Sequence, residues 1–167
     1  MAFRAQLKDT EKYLLDGNCF DFLAKNPEDL KAIFTARASS QIEIIGTHIE
    51  ADEMMRVEKT KPEYAAELAK IRDLLSIRKV QASGFIYEIS KLNEATLFGW
   101  DEIDDFVEMT NDNSRHAEDA LLVRTAKKEN AVLVTEEISR LPRIARERHV
   151  RVISTSEFAE ICRKLVN

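Results

Sequence analysis

Apolar residues along the chain fall into two kinds of run. Short continuous ones stop abruptly on polar residues, and longer ones recur every three or four positions. The short runs are Tyr13-Leu14-Leu15, ending on Asp16-Gly17-Asn18, and Ile42 to Ile45, ending on Gly46-Thr47. Two more follow, Ala131-Val132-Leu133-Val134-Thr135, ending on Glu136-Glu137, and Val150-Arg151-Val152-Ile153-Ser154. Runs of this length bounded by turn residues read as buried strands. The helical spacing begins after Asn26-Pro27 with Leu30, Ile33, Phe34 and Arg37, and stops at Ser39-Ser40. Thr47 caps a helix running to Met55, and Lys61-Pro62 restarts one through Leu68, Ile71, Leu74, Leu75 and Ile77. Asp101 caps a helix through Ile103, Phe106 and Val107. Arg115 opens another through Ala120, Leu121, Val123 and Arg124, and two more span Ile138 to Arg148 and Thr155 to Leu165.

Strands alternating with helices predict right-handed βαβ units, and hence an α/β fold of three α/β/α layers around a central parallel sheet. Residues 82–100 break the helical period. Ser83 to Ser90 is rich in β-formers, Lys91-Leu92-Asn93-Glu94 is turn-like, and Ala95-Thr96-Leu97-Phe98 returns, which predicts an inserted β-hairpin. Residues 3–11 read as a lead-in.

With 167 residues, 44% of them apolar, the chain suits one core, and a single domain over 1–167 is expected. No run approaches the ~20 apolar residues of a membrane helix, and Met1 to Thr10 lacks the apolar centre of a signal peptide, so a cytoplasmic protein with no membrane partner is expected. Cys19 and Cys162 lie far apart within apolar patterns and read as reduced core residues rather than a disulfide or a zinc site. A formal charge of −5 argues against coating nucleic acid by bulk charge, while leaving room for an acidic pocket with a basic rim. No Gly-rich phosphate loop and no Gly-x-Ser-x-Gly is present, and His48, His116 and His149 lack ligand spacing.

The chemistry lies in the carboxylates. Asp16 ends the first strand, Glu53 follows the second, Asp119 stands early in a helix, and Glu137 trails the third strand. The carboxyl edge of a parallel sheet is where ligands bind, and side chains at the ends of neighbouring strands converge there. Any one of these acids reads as easily as a turn or cap residue, Asp16-Gly17-Asn18 included. Four carboxylates gathered together repel, which raises their pKa values or calls for a hard cation such as Mg²⁺ or Mn²⁺.

Tyr13-Leu14-Leu15-Asp16-Gly17-Asn18, the Thr47 to Met55 helix, Glu118-Asp119-Ala120-Leu121 and Leu133-Val134-Thr135-Glu136-Glu137 follow one another in an order that resembles the PIN-domain ribonucleases, whose members include VapC-type toxins. The closing Val150 to Phe158 stretch is similar as well. The resemblance implies divalent-metal-dependent hydrolysis of single-stranded RNA, with Mg²⁺ or Mn²⁺ held by Asp16, Glu53 (rather than Glu50 or Asp52), Asp119 and Glu137. Asn18 and Thr135 would orient them, a role that competes with plain turn and capping duty. Arg140, Arg143, Arg146, Arg148 and Arg151 form the densest basic run, which reads either as a solvated helix face or, with Arg124, as contacts to RNA phosphates. The toxin branch would add an antitoxin protein as a partner, and a homodimer stays open. Two departures from the family pattern stand out: Glu137 where Asp is usual, and the 82–100 insertion. A non-catalytic RNA- or protein-binding module and a phosphatase acting on small esters remain rival readings. Gly17 and Asn18 behind Asp16 disfavour the latter, which needs a second acid or nucleophile there.

Overall fold

The computed structural model describes residues 10–86, 89–90, 93–111, 113 and 116–166, the side chains of Met54 and Asp101 excepted. Five parallel strands form the central sheet: β1 (Glu11–Leu15), β2 (Ile42–Gly46), β3 (Arg78–Lys79), β6 (Val132–Val134) and β7 (Val152–Ile153), in the order β3-β2-β1-β6-β7. The chain lays β1, β2 and β3 outward to one side, then returns to place β6 and β7 on the other. The winding reverses between β1 and β6, and in open α/β sheets the crevice outside that switch point is the ligand site.

Alternation along β1 explains the layers. Tyr13 and Leu15 face one way and Leu14 the other, and all three are buried, as expected of a strand covered on both sides. Tyr13, Leu15, Ile44 and Val134 pack against α1 (Asn18–Lys25), α2 (Pro27–Ala38), α4 (Pro62–Leu74) and α8 (Thr155–Val166), with Tyr13 stacked on Phe158 at 4.3 Å. Leu14, Ile45 and Leu133 pack on the opposite face against α6 (Ala117–Glu129) and α7 (Arg140–Glu147), where Leu121, Val123, Leu141 and Ile144 are buried. The architecture is the three-layer α/β/α one. Both cysteines are free and buried. No helix of the described residues is long and apolar enough to cross a membrane.

Several element boundaries differ from the sequence reading, each for a local reason. The first helix starts at Asn18, directly after Gly17, ahead of the helical spacing that the sequence shows only after Asn26-Pro27. α4 stops at Leu74 instead of reaching Ile77, with Ser76 at φ 50, and the chain then forms the edge strand β3 beside β2. Its two residues, Arg78 and Lys79, are exposed and charged, so no apolar run marked it. α5 (Trp100–Thr110) takes Gly99 rather than Asp101 as its N-cap, and the Glu102 carboxylate accepts from Gly99 N at 2.6 Å. α7 begins at Arg140, leaving Ile138 outside it and 94% exposed. Arg115 lies outside the described residues.

The inserted hairpin is corrected. β4 (Ala82–Ser83) and β5 (Ala95–Thr96) do pair, but in parallel, with Ala82 opposite Ala95 and Ser83 opposite Thr96, whereas a hairpin is antiparallel. Hydrogen bonds to α6 explain the change: Ser83 N donates to Thr125 Oγ1 at 2.9 Å, and Ser83 O accepts from Arg124 Nε at 3.1 Å. Gly84, at φ +132, then turns the chain beneath the Phe98 ring, where no Cβ would fit. Residues 87–88 and 91–92 of the expected hairpin lie outside the described residues.

Candidate metal centre at the carboxyl edge

β1 delivers Asp16 to the switch point, where its side chain is 8% exposed. Three donors hold it: Gly17 N at 2.7 Å, Asn18 Nδ2 at 2.8 Å and Thr135 Oγ1 at 2.8 Å, the last arriving from the end of β6. Burial nevertheless raises the Asp16 pKa, helped by the Glu137 charge and opposed by these bonds. Asn18 also accepts from Glu136 N at 3.0 Å and so ties the start of α1 to the loop after β6.

α3 (His48–Glu58) carries two acids one turn apart, and they do different things. Glu50 turns back on Thr47, accepting from its backbone N–H and, at 2.6 Å, from its hydroxyl, while Thr47 Oγ1 accepts from Ile49 N at 3.1 Å. This is a capping box. Glu53 instead reaches the loop after β1, and its Oε2 lies so close to Gly17 that a Cβ there would collide with it. Burial, then the charges of Asp16 and Glu118, push the Glu53 pKa up to about 8. Since Gly17 sits at φ −55, alanine suits its backbone and only the Glu53 carboxylate stands in the way. Gly17→Ala is therefore expected to keep the unfolding free energy within about 1 kcal/mol of wild type while displacing Glu53. Thermal unfolding in chelator, with divalent-ion titration beside it, checks this: metal affinity falls although the fold survives.

Asp119 lies in the first turn of α6, and burial plus the Glu137 and Asp16 charges raise its pKa to about 6 against the pull of Arg140, whose Nε stands 3.3 Å away. Glu137 follows β6, and its amide donates to Thr135 Oγ1 at 3.0 Å. One of its oxygens, Oε1, caps α7 by accepting from Arg140 N at 2.8 Å and Leu141 N at 3.0 Å. All four sequence-predicted acids thus stand around the carboxyl edge, where the Asp16 charge acts on Glu53 and Asp119 and the Glu137 charge acts on Asp16 and Asp119. Three of them, Asp16, Asp119 and Glu137, lean on protein partners, and among the described residues no three His, Cys, Asp or Glu side chains are placed to grip an ion as they stand.

The sequence reading passed over Glu50, although Thr47-x-x-Glu50 is a capping-box signature. It also passed over Arg56, which pairs with Glu118 from α3 to α6 beside the acids. The predicted substrate arginines separate. Arg124 is 8% exposed and holds Glu102 at 2.7 Å and Asp105 at 3.4 Å, facing away from solvent. Arg140 is committed to Asp119 and to Met109 O at 2.5 Å. Arg143 and Arg146 are exposed on α7, Arg148 is buried against Asp105, and Arg151 pairs with Glu11 at 2.9 Å.

Asp16, Glu50, Glu53 and Asp119 all have raised pKa values, which gives the pH dependence of the metal-free protein its sign. Each binds its proton more tightly folded than unfolded, so its penalty is absent below its unfolded pKa of about 4 and grows as pH rises, for Asp119, Glu50 and Glu53 through folded values of about 6, 7 and 8. The chelated protein should be more stable at pH 5 than at pH 8. Denaturant titration across that range checks it, and Glu50→Gln, which keeps the capping box, should flatten the part below pH 7.

Compared with protein-family models and with curated proteins, the chain matches none.

Proposed function

We propose that the chain is a PIN-like, divalent-metal-dependent endoribonuclease acting on single-stranded RNA. The observation that carries this reading is the set of four carboxylates around the switch point, three of which have pKa values raised by burial and, after it, by the charge of neighbouring carboxylates. Their donors are all oxygen, the chemistry that suits Mg²⁺ or Mn²⁺, and Asp16, Glu53, Asp119 and Glu137 are the residues that would hold the ion. Bound there, such an ion supplies an activated water and offsets charge on the leaving oxygen of a phosphodiester.

The chain's own residues prepare the place. Thr135 and Asn18 fix the Asp16 carboxylate, and Gly17 leaves room for Glu53. Arg56, 60% exposed beside Glu53 and Glu118, is the cation best placed to exchange its carboxylate for an RNA phosphate. Arg143 and Arg146 offer further backbone contacts from α7. The setting this implies is the cytoplasm, with an antitoxin or a second copy of the chain as partner. The capping role of Glu137 Oε1 favours the non-catalytic alternative, a PIN-like RNA- or protein-binding module.

Incubating the purified chain with a varied single-stranded RNA pool tests the proposal, with Mn²⁺ or with EDTA and with phosphomonoesters in parallel. Cleavage of RNA alone, lost in EDTA, is expected. RNA retention without cleavage favours the binding module, and phosphomonoester turnover overturns the substrate class.

A further inference from the structure

A cavity of about 520 Å³ lies between α5, α6 and the β4–β5 pair. Nothing in the ribonuclease reading uses it. Four cations line it, Arg124, Lys127, Lys128 and Arg148, against two carboxylates, Glu102 and Asp105. That balance is the reverse of the chain's, which carries a formal charge of −5.

The cations divide by exposure. Arg124 and Arg148 are buried and share Asp105, at 3.4 and 3.1 Å, with Glu102 2.7 Å from Arg124. These ion pairs hold the back of the cavity. Lys127 and Lys128 are exposed in the last turn of α6, where cations also answer the helix dipole, a duty that leaves their ammonium groups in solvent. Lys128 Nζ reaches Thr96 Oγ1 at 3.4 Å, and its charge acts on Glu102. The front of the cavity therefore presents two ammonium groups backed by two guanidiniums, and a hydroxyl beside them.

Another part of the wall is apolar. Leu97, which lines the cavity, is 81% exposed, and Val123 lies behind it. A cationic front beside an exposed apolar side chain matches a ligand with a charged end and a flat ring. The volume falls in the range of small-molecule sites, about 300–1,000 Å³. The cavity is separate from the carboxylates: α6 carries Asp119 in its first turn and Lys127 eight residues later, about 12 Å along the helix.

We propose that this cavity binds a nucleotide, with its phosphates on Lys127 and Lys128 and its base against Leu97. Paired acids at the back keep Arg124 and Arg148 in place, and the two lysines supply the exposed charge.

Calorimetric titration of the full chain at low salt in EDTA tests this, with ATP, GTP and UTP beside tripolyphosphate, inorganic phosphate and a long single-stranded RNA. EDTA keeps cations off the carboxylates, so the result does not depend on whether the chain cleaves RNA. Saturable nucleotide binding that weakens with salt is expected, with tripolyphosphate weaker. Combining Lys127→Glu with Lys128→Glu should weaken nucleotide binding about tenfold or more, through loss of charge complementarity at exposed positions. Leu97→Asp should weaken nucleotide binding more than tripolyphosphate binding. No saturable binding by any nucleotide, undiminished binding by the double variant, or equal affinity for tripolyphosphate would overturn the proposal. So would binding of long single-stranded RNA alone, which would make the cavity part of an RNA path.

Discussion

Glu53→Gln is expected to raise the stability of the metal-free protein and, under the ribonuclease function proposed above, to lower metal-dependent RNA cleavage about a thousandfold or more. The two signs come from one side chain. Glu53 is pressed against Gly17 near Asp16 and Glu118, and its pKa is pushed up to about 8 because burial and neighbouring carboxylates disfavour its charge. At pH 7 the unfolded glutamate is ionised and the folded one resists ionisation. A neutral glutamine of the same shape removes that penalty, on the order of 1–3 kcal/mol. Glutamine is also a poor ligand for a hard cation, so the gain in thermal stability on adding Mn²⁺ should shrink with activity. Melting curves with and without Mn²⁺, beside an RNA cleavage assay, read both signs. A variant that melts lower in chelator and keeps its metal response would make Glu53 a structural residue. Asp16→Asn is the poorer probe, because its amide nitrogen would face the donors Asn18 Nδ2 and Thr135 Oγ1 and add a packing fault to any metal effect.

Arg124→Met is expected to destabilise the fold by about 2–4 kcal/mol, the range for removing one partner of a buried ion pair, reduced because Glu102 and Asp105 are partly exposed. Arg124 ties three elements together. Its guanidinium bonds Ser83 O at 3.1 Å, pairs with two acids of α5, and lies over the Phe98 ring at 5.1 Å. Without it, α5 and the β4–β5 pair lose a shared polar link to α6. A lowered denaturant midpoint, with faster hydrogen exchange confined first to 82–86 and 95–111, is the expected result. If Arg124 served RNA instead, the midpoint would hold and only RNA affinity would drop.

The paired signs for Glu53 separate metal chemistry from packing, and the Arg124 result separates packing from RNA contact. Together they bear on which of the sequence-predicted residues act at the site. Arg143, Arg146 and Arg151, all exposed, remain the arginines of the run whose loss tests the proposed RNA contact without altering stability.

The sequence by itself determined what depends on neighbours in the chain. Tyr13-Leu14-Leu15 needs apolar cover on both faces, so it is a central strand wherever the helices lie, and Asp16 at its end must reach the carboxyl edge. Pro27 and Pro62 at helix starts and the polar breaks after β2 and β6 are equally local, which is why the α/β/α layering was legible. Tertiary structure decided the rest, because those outcomes turn on partners far away in the chain. β3 is a strand only because β2 offers it hydrogen bonds, and 82–100 gives a parallel pair because α6 takes the backbone groups a hairpin would have used. A guanidinium's sequence position says nothing of which carboxylate will neutralise it, so Arg124 and Arg148 read as surface cations until Asp105 was found between them. The same holds for the acids. Glu50 and Glu53 share a helix and a chemistry, and what separates a helix cap from a site carboxylate is that Gly17, three dozen residues earlier, leaves space for only one of them.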